Sequence, residues 1–302
     1  MRHLTNKNTT MNKRREFLIN SGLVLGTLAI TPSLAFTTKK RAIGIQLWTM
    51  RETLPKDVKG VLAQIAKAGF TEVETFGFSP KDNAFFGTSL QDFKAILDAN
   101  GLKATSNHFD FNNFIKTGDL GDLNAYINAA KVLGSEYVTI PWILPELRGT
   151  SAADYKKLAK GINQVAQQCH AAGLKLAYHN HDFEFEEFGD TNGYEILLSE
   201  TDPALVDFEL DLYWAVRAGH NPLDLFKQHP GRFTMWHVKD MDKANKEWNA
   251  EIGKGAIDFK AIFAQAKQSG MKRFFLEHET NYIPNPGESI KTSFDYISKN
   301  LI

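Results

Sequence analysis

The chain has 302 residues, 43% of them hydrophobic and 23% charged, with a formal net charge of zero. That balance is globular and excludes both a disordered polyelectrolyte and a membrane-embedded bundle. No Lys/Arg block occurs beyond the N-terminal segment, so a nucleic-acid partner is not expected.

In chain order, the first 35 residues read as an address. Lys13-Arg14-Arg15-Glu16-Phe17-Leu18 precedes an apolar run from Leu23 to Ile30, and Ser33-Leu34-Ala35 supplies small residues for cleavage. The arginine pair resembles the twin-arginine export motif, with Met11 an alternative initiator. The apolar run falls short of the roughly 20 residues that span a bilayer. No cysteine follows it to carry a lipid. Residues 1–35 are therefore predicted to be a signal peptide. The expected product is periplasmic, free of the membrane after cleavage, with homo-oligomerisation left open.

From Arg41 onward, short β-type runs alternate with amphipathic helical stretches. The expected strands are Ile43–Trp48, Glu72–Phe76, Lys103–His108, Tyr137–Pro141, Lys175–His181, Leu205–Asp211, Phe233–Lys239 and Arg273–Glu279. Their starts lie roughly 30 to 40 residues apart, which suits one strand plus one crossover helix. Between them, stretches such as residues 58–67 place apolar residues at i, i+3 and i+4. Gly69, Gly101, Gly134, Gly173 and Gly270 each precede a strand, where a left-handed cap turns the helix back. Eight such units without a composition break predict one α/β domain over residues 41–302, a parallel eight-stranded (β/α)8 TIM barrel. An open doubly wound sheet competes, but no Gly-x-Gly-x-x-Gly follows the first strand. Cys169, the single cysteine, reads as a small buried hydrophobe on a helix.

Parallel barrels build their sites at the C-terminal ends of the strands, and unusual side chains gather there. The third strand ends in His108, the fifth in Tyr178-His179-Asn180-His181 followed by Asp182-Phe183-Glu184. The sixth ends in Glu209-Leu210-Asp211, the seventh in His237-Val238-Lys239-Asp240 and the eighth in Glu277-His278-Glu279, while the second carries Glu74. Alternation turns His237 and Lys239 inward and Trp236 and Val238 toward the helices. It likewise pairs Glu209 with Asp211, Glu277 with Glu279 and His179 with His181. Charged groups inside a barrel need partners or a metal. Converging His, Asp and Glu without Cys point to one divalent ion: Mn, Mg, Co or Zn. His278, His170, His220 and His229 read as structural, and Glu74 reads equally as an ion-pair partner or a substrate contact.

These segments resemble the xylose isomerase-like barrel superfamily, the sugar phosphate isomerase/epimerases, over essentially the whole chain after the signal. The resemblance rests on Gly69-Phe70-Thr71-Glu72-Val73-Glu74, Leu210-Asp211-Leu212-Tyr213-Trp214, Gly231-Arg232 and His237-Val238-Lys239-Asp240. It implies a metal held by Glu, Asp, His and Glu from strands five to eight. Asp211, His237 and Glu277 match the last three, His179 stands at the first, and His181 competes with it. A His-rich fifth strand resembles the inosose dehydratase-like and keto-glycoside lyase branches. With histidine replacing one glutamate, a symmetric proton relay gives way to proton abstraction beside a carbonyl followed by elimination.

His108, His181 and Glu277 are the candidates for proton transfer, with Lys239 to stabilise an enolate. Trp48, Glu74, Glu184 and Trp214 are the candidate contacts to a carbohydrate substrate, with Trp142 and Phe109 as further stacking surfaces. Export favours an unphosphorylated keto-sugar or 3-keto-glycoside over a sugar phosphate. The competing readings are an isomerase or epimerase working through an enediolate, a phosphodiesterase of the endonuclease IV type, and a non-catalytic sugar-binding barrel.

Overall fold

The computed structural model describes residues 41–302; the predicted signal peptide lies outside the described residues. Eight parallel strands form the barrel: β1 (Gly44–Gln46), β2 (Glu72–Thr75), β3 (Lys103–Asn107), β4 (Tyr137–Ile140), β5 (Lys175–His179), β6 (Val206–Asp211), β7 (Met235–Val238) and β8 (Arg273–Leu276). Their order is β3-β2-β1-β8-β7-β6-β5-β4. The ring closes between β3 and β4, where His108 bridges Thr139 and the Phe109 N–H donates to the Thr139 carbonyl at 3.2 Å. The architecture is the (β/α)8 barrel expected from the periodicity.

Helices α1 (Val58–Ala68), α2 (Leu90–Ala99) and α3 (Asn112–Thr117) follow the first three strands, with α4 (Leu123–Leu133) completing the third crossover. Next come α5 (Ala152–Ala171), α6 (Gly193–Glu200), α7 (Leu212–Arg217) and α8 (Pro222–Gln228). The last are α9 (Phe259–Ala264), α10 (Ala266–Ser269) and α11 (Pro286–Asn300). Caps set several starts: the side chains of Asp57, Ser89, Ser151 and Asn285 each accept a first-turn N–H. Helix α1 then buries Val58, Val61, Leu62 and Ile65 on one face.

Most strands stop before their apolar pattern does. After β1 the chain turns at once into a 3-10 helix, Leu47–Met50, because the Gln46 side chain accepts the Trp48 N–H and caps the turn. Two additions have no counterpart in the expected pattern. A small antiparallel sheet (Phe78–Ser79, Ala84–Phe85, Thr88–Ser89) follows β2, and the pair Asp240–Met241 and Asn249–Ala250 follows β7.

Inside the barrel, Tyr137, Ala177, Met235 and Phe275 form their own buried cluster. Gly44 makes room for it: a Cβ there would lie 2.5 Å from the Phe275 ring. Tyr137 donates to Asp207 Oδ2 at 2.8 Å, as does Lys175 at 2.9 Å. Outside the barrel, Trp236 stacks on Phe226 at 5.2 Å, which confirms that it faces the helices while His237 faces inward. Cys169 is free and buried, and burial pushes its thiol up to about 12, as suits a packing residue.

The five glycines expected as caps all have positive φ. Two of them make a test. Gly134 has φ +75° and open space where a Cβ would go, whereas at Gly270, φ +87°, the Cβ would lie 2.7 Å from the Gly231 carbonyl. Gly134→Ala is expected to destabilise by about 1 kcal/mol, the conformational strain alone. Gly270→Ala adds a backbone collision and is expected to lose about 2 kcal/mol more. Urea denaturation of both variants reads the difference, and equal losses would show that the contact at Gly270 does not matter.

Candidate active site at the C-terminal ends of the strands

Two fully buried carboxylates, Glu74 from β2 and Glu209 from β6, lie within the barrel among three imidazoles. Glu74 Oε2 is 3.0 Å from His108 Nε2 and 2.7 Å from His237 Nε2. Glu209 Oε2 is 2.9 Å from His108 Nε2, 3.3 Å from His237 Nε2 and 3.5 Å from His179 Nδ1. Gln46 Nε2 donates to Glu74 Oε2 at 2.6 Å and lies 3.2 Å from His108 Nδ1.

His237 joins this set to a second one. Its Nδ1 is 3.1 Å from Glu277 Oε2 and 3.8 Å from Asp211 Oδ2. The other Asp211 oxygen caps α7, accepting the Tyr213 and Trp214 N–H groups at 2.8 and 3.0 Å. The Asn180 side chain fixes the same point by accepting the Asp211 N–H at 3.0 Å. Lys239 Nζ lies 3.3 Å from Glu277 Oε2 and 3.7 Å from Asp211 Oδ2, and it also pairs with Glu279. Its ammonium sits 4.9 Å from the Trp214 ring centroid.

Burial disfavours every one of these charges, and mutual contact decides which survive. Burial raises the Glu74 carboxyl, but His108 and His237 outweigh it and hold the group below its usual range. For Glu209, burial and Glu74 push upward, yet the imidazoles pull it down to about 2. Burial works against a charged His108, but Glu74 and Glu209 raise it to about 9. Toward the mouth the balance reverses. Burial lowers His179, helped by His237, and lowers His181, helped by Lys239, so both stay neutral. Lys239 stays an ammonium because Glu277, Glu279 and Asp211 overcome its burial.

Two groups of donor atoms lie within 4.8 Å of one another: His108, His179, Glu209 and His237, and Asp211, His237 and Glu277. Asp211 Oδ2, Glu74 Oε1, Glu209 Oε1 and His179 Nδ1 are buried without a hydrogen-bond partner. Orphaned oxygen and nitrogen donors with no sulfur fit a borderline or hard divalent cation. His237 suits the outer group best: Nδ1 faces Asp211 and Glu277, while Nε2 contacts Glu74 and Glu209, the outer carboxylates that orient a metal-binding imidazole.

A barrel with buried His, Asp and Glu convergent at its C-terminal face defines a class of enzymes that work on small molecules inside the barrel mouth. The chain belongs to the xylose isomerase-like TIM barrel family, whose model matches residues 62–300, and it is an enzyme. It is 23% identical over 272 residues to an inosose dehydratase of Clostridium beijerinckii, covering 79% of this chain and 88% of that protein. A sugar phosphate isomerase/epimerase from Parabacteroides distasonis superposes with a TM-score of 0.77 at 26% identity, covering 89% of this chain and 98% of the other. The E. coli 3-keto-D-glucoside 4-epimerase shares the fold at a TM-score of 0.65 and 17% identity, with 85% and 99% covered.

A cavity of about 590 Å³ opens above the buried groups. Of the residues singled out from the sequence, Trp48, His108, His179, His181, Trp214 and Glu277 line it. Asp211 and His237 lie buried beneath, and Lys239 is held behind Glu277. His179 groups with His108 and Glu209 rather than with Asp211 and Glu277, so the expected four-residue ligand set divides between two layers. Glu74 is fully buried among Gln46, His108 and His237 instead of lining the cavity. Gln46 was not singled out, and Glu209 and Glu279 were named only as strand partners of Asp211 and Glu277, without a role. Glu209 carried a signal, since it alternates with Asp211; Gln46 carried only its polarity in an apolar strand.

Glu184 also lies behind the cavity wall. It is fully buried, accepting the Tyr178 hydroxyl at 2.8 Å and the His181 N–H at 2.8 Å, and so holds the loop that carries His181. Burial, only partly offset by these bonds, raises its carboxyl from 4.5 to about 8. The folded state thus keeps a proton that the unfolded chain releases, and this contribution to stability is lost as pH rises from 4.5 toward 8. Glu184→Gln mimics the protonated group. Relative to the parent, the variant's urea midpoint is expected to be flatter with pH across that window. A parallel pair of curves would refute the assignment.

Proposed function

We propose that the protein is a divalent-metal-dependent carbohydrate enzyme. It removes the proton beside the carbonyl of an unphosphorylated keto-sugar or 3-keto-glycoside and expels the group on the neighbouring carbon. The observation that carries this reading is the asymmetric cavity wall. It sets two neutral imidazoles, His179 and His181, beside one carboxylate, Glu277, that is backed by the Lys239 ammonium. A dehydratase among the sequence relatives and a 3-keto-D-glucoside 4-epimerase among the structural neighbours support it.

In a 3-keto-glycoside, the neutral His181 imidazole lining the cavity accepts the proton on C2. The C2–H electron pair moves onto the carbonyl as an enolate, and the positive field of Lys239 behind Glu277 stabilises it. As the carbonyl re-forms, the C1–O bond breaks. His108, protonated against Glu74 and Glu209 and lining the cavity, supplies the proton to the departing oxygen on turning away from those carboxylates. The products are a 2-hydroxyglycal ketone and the free alcohol. A divalent ion held by Asp211, His237 and Glu277 would polarise the carbonyl and acidify the adjacent C–H.

Two features support an unphosphorylated substrate made available by export. The carboxylates of Asp110, Asp182, Glu277 and Glu279 outnumber the Arg148 guanidinium along the cavity, a poor setting for a phosphate dianion. The Arg14-Arg15 segment supports delivery to the periplasm, where glycosides arrive unmodified. Replacing both arginines by lysine is expected to leave the protein in the cytoplasmic fraction, and unchanged periplasmic recovery would remove that argument.

The decisive experiment incubates the full protein with a 3-keto-glucoside and a divalent metal. Released alcohol and the 2-hydroxyglycal should appear in equal amounts. An epimerised substrate with its glycosidic bond intact would replace the lyase reading by an epimerase working through an enediolate. His181→Ala is expected to lower kcat by about a hundredfold to ten-thousandfold, the usual contribution of a general base. Asp211→Asn should lose bound metal, read as metal content per chain, and undiminished metal would take Asp211 out of the ligand set.

A further inference from the structure

The cavity changes character along its depth. Its inner wall carries the His179 and His181 imidazoles together with the carboxylates of Glu277 and Glu279. Part of the polar surface of the outer wall is already engaged. Asn112 Oδ1 accepts the Leu144 N–H at 2.8 Å, and Asn112 Nδ2 donates to Asp110 Oδ1 at 2.7 Å. Arg148 Nε donates to the Ile143 carbonyl at 3.1 Å, and Asp182 lies 3.7 Å from Arg217.

The apolar surface shows the opposite trend. Five large hydrophobic side chains are exposed among the described residues, and three of them, Trp48, Trp142 and Leu144, line this one cavity. Trp142 is braced rather than loose: the Arg148 guanidinium lies 4.5 Å from its ring centroid, and the His181 ring meets it edge-on at 4.5 Å. Trp48 is braced edge-on by Phe76 at 5.0 Å. Large apolar groups left in water and concentrated in one concavity mark a ligand surface. At about 590 Å³ the space falls within the range, roughly 300–1,000 Å³, that buries drug-sized ligands, so a single sugar ring does not account for it.

We propose that the outer half of the cavity is an aglycone subsite, formed by Trp142, Leu144 and Trp48, that takes a flat apolar group attached to the sugar. A second sugar ring would have to compete for Asn112, Arg148 and Asp182 with the partners they already hold, whereas an aromatic ring needs only contact area. The inference rests on the keto-glycoside reading and narrows it to glycosides of apolar, ring-bearing alcohols.

The test compares 3-keto-β-glucosides of methanol, of 2-phenylethanol and of glucose, leaving groups that are all alkoxides. The phenylethyl compound is expected to show kcat/KM at least about tenfold above the methyl compound, the gain from burying a ring. The disaccharide should do no better than methyl. Trp142→Ala and, separately, Leu144→Ala should each reduce the phenylethyl-to-methyl ratio to about twofold or less. The unoxidised phenylethyl and methyl glucosides, which cannot eliminate, provide a binding readout by quenching of intrinsic tryptophan fluorescence. Failure of every keto-glycoside to lose its alcohol would overturn the proposed reaction, while the binding order would still report on the subsite. Equal affinity for the two unoxidised glucosides, or preference for the disaccharide, would overturn the subsite.

Discussion

The arrangement of the whole site follows from confining ionised groups where water does not reach. Glu74, Glu209, Asp211 and His237 have no exposed surface, and Lys239 and Glu277 have almost none. A unit-charge pair about 4 Å apart at a protein-like dielectric near 20 is worth roughly 4 kcal/mol, so no member titrates or moves independently. His237 is the hub, since each ring nitrogen faces a different pair of carboxylates. Turning that ring would take one partner from each of four acids at once. The orphaned atoms that remain are the places where the network is incomplete, and incomplete buried networks belong to functional sites.

The rest of the barrel keeps this arrangement dry and still. The Tyr137, Ala177, Met235 and Phe275 cluster closes the interior beneath the charged layers, and Gly44 permits it by giving its place to the Phe275 ring. Above, the chain leaves each strand early. The turn at Gln46, the cap made by Asp211 and the loop tied by Glu184 all convert strand ends into rigid mounts. Asp240 extends the same device, its carboxylate accepting the N–H groups of Met241, Gly253, Gly255 and Ile257 and so anchoring the segment beyond β7. Side chains on such mounts hold position better than side chains on free loops.

The barrel was legible because two periodicities and a punctuation mark recur in it: alternating strands, amphipathic helices and a glycine before the next strand. Strand alternation also placed His237 inward and Trp236 outward correctly. It failed where the backbone stops being a strand. Glu184 follows the HNH run in sequence, but the Phe183–Phe185 turn carries it behind the wall, and a period of two has no meaning there. Glu74 was visible as a polar residue at a strand end, yet its burial depends on partners from β1, β3 and β7 that only the closed ring brings together. Gln46 was hidden for a related reason. A lone polar letter in an apolar strand announces itself only when its partner is known, and the partner lies 28 residues away.

The histidine at the end of β5 then finds its reason in Glu209. His179 Nδ1 stands 3.5 Å from Glu209 Oε2, and Glu209 shares His108 with Glu74. A glutamate at position 179 would set a third carboxylate against two that are already fully buried, and like charges in such a place cannot all ionise. A neutral imidazole there keeps the lower pair charged, and the lower pair in turn keeps His108 protonated. With His179 where the family resemblance implies a glutamate, the site keeps neutral imidazoles, His179 and His181, above a charged His108. In the proposed elimination, that polarity serves to take a proton from one carbon and give one to an oxygen on the next.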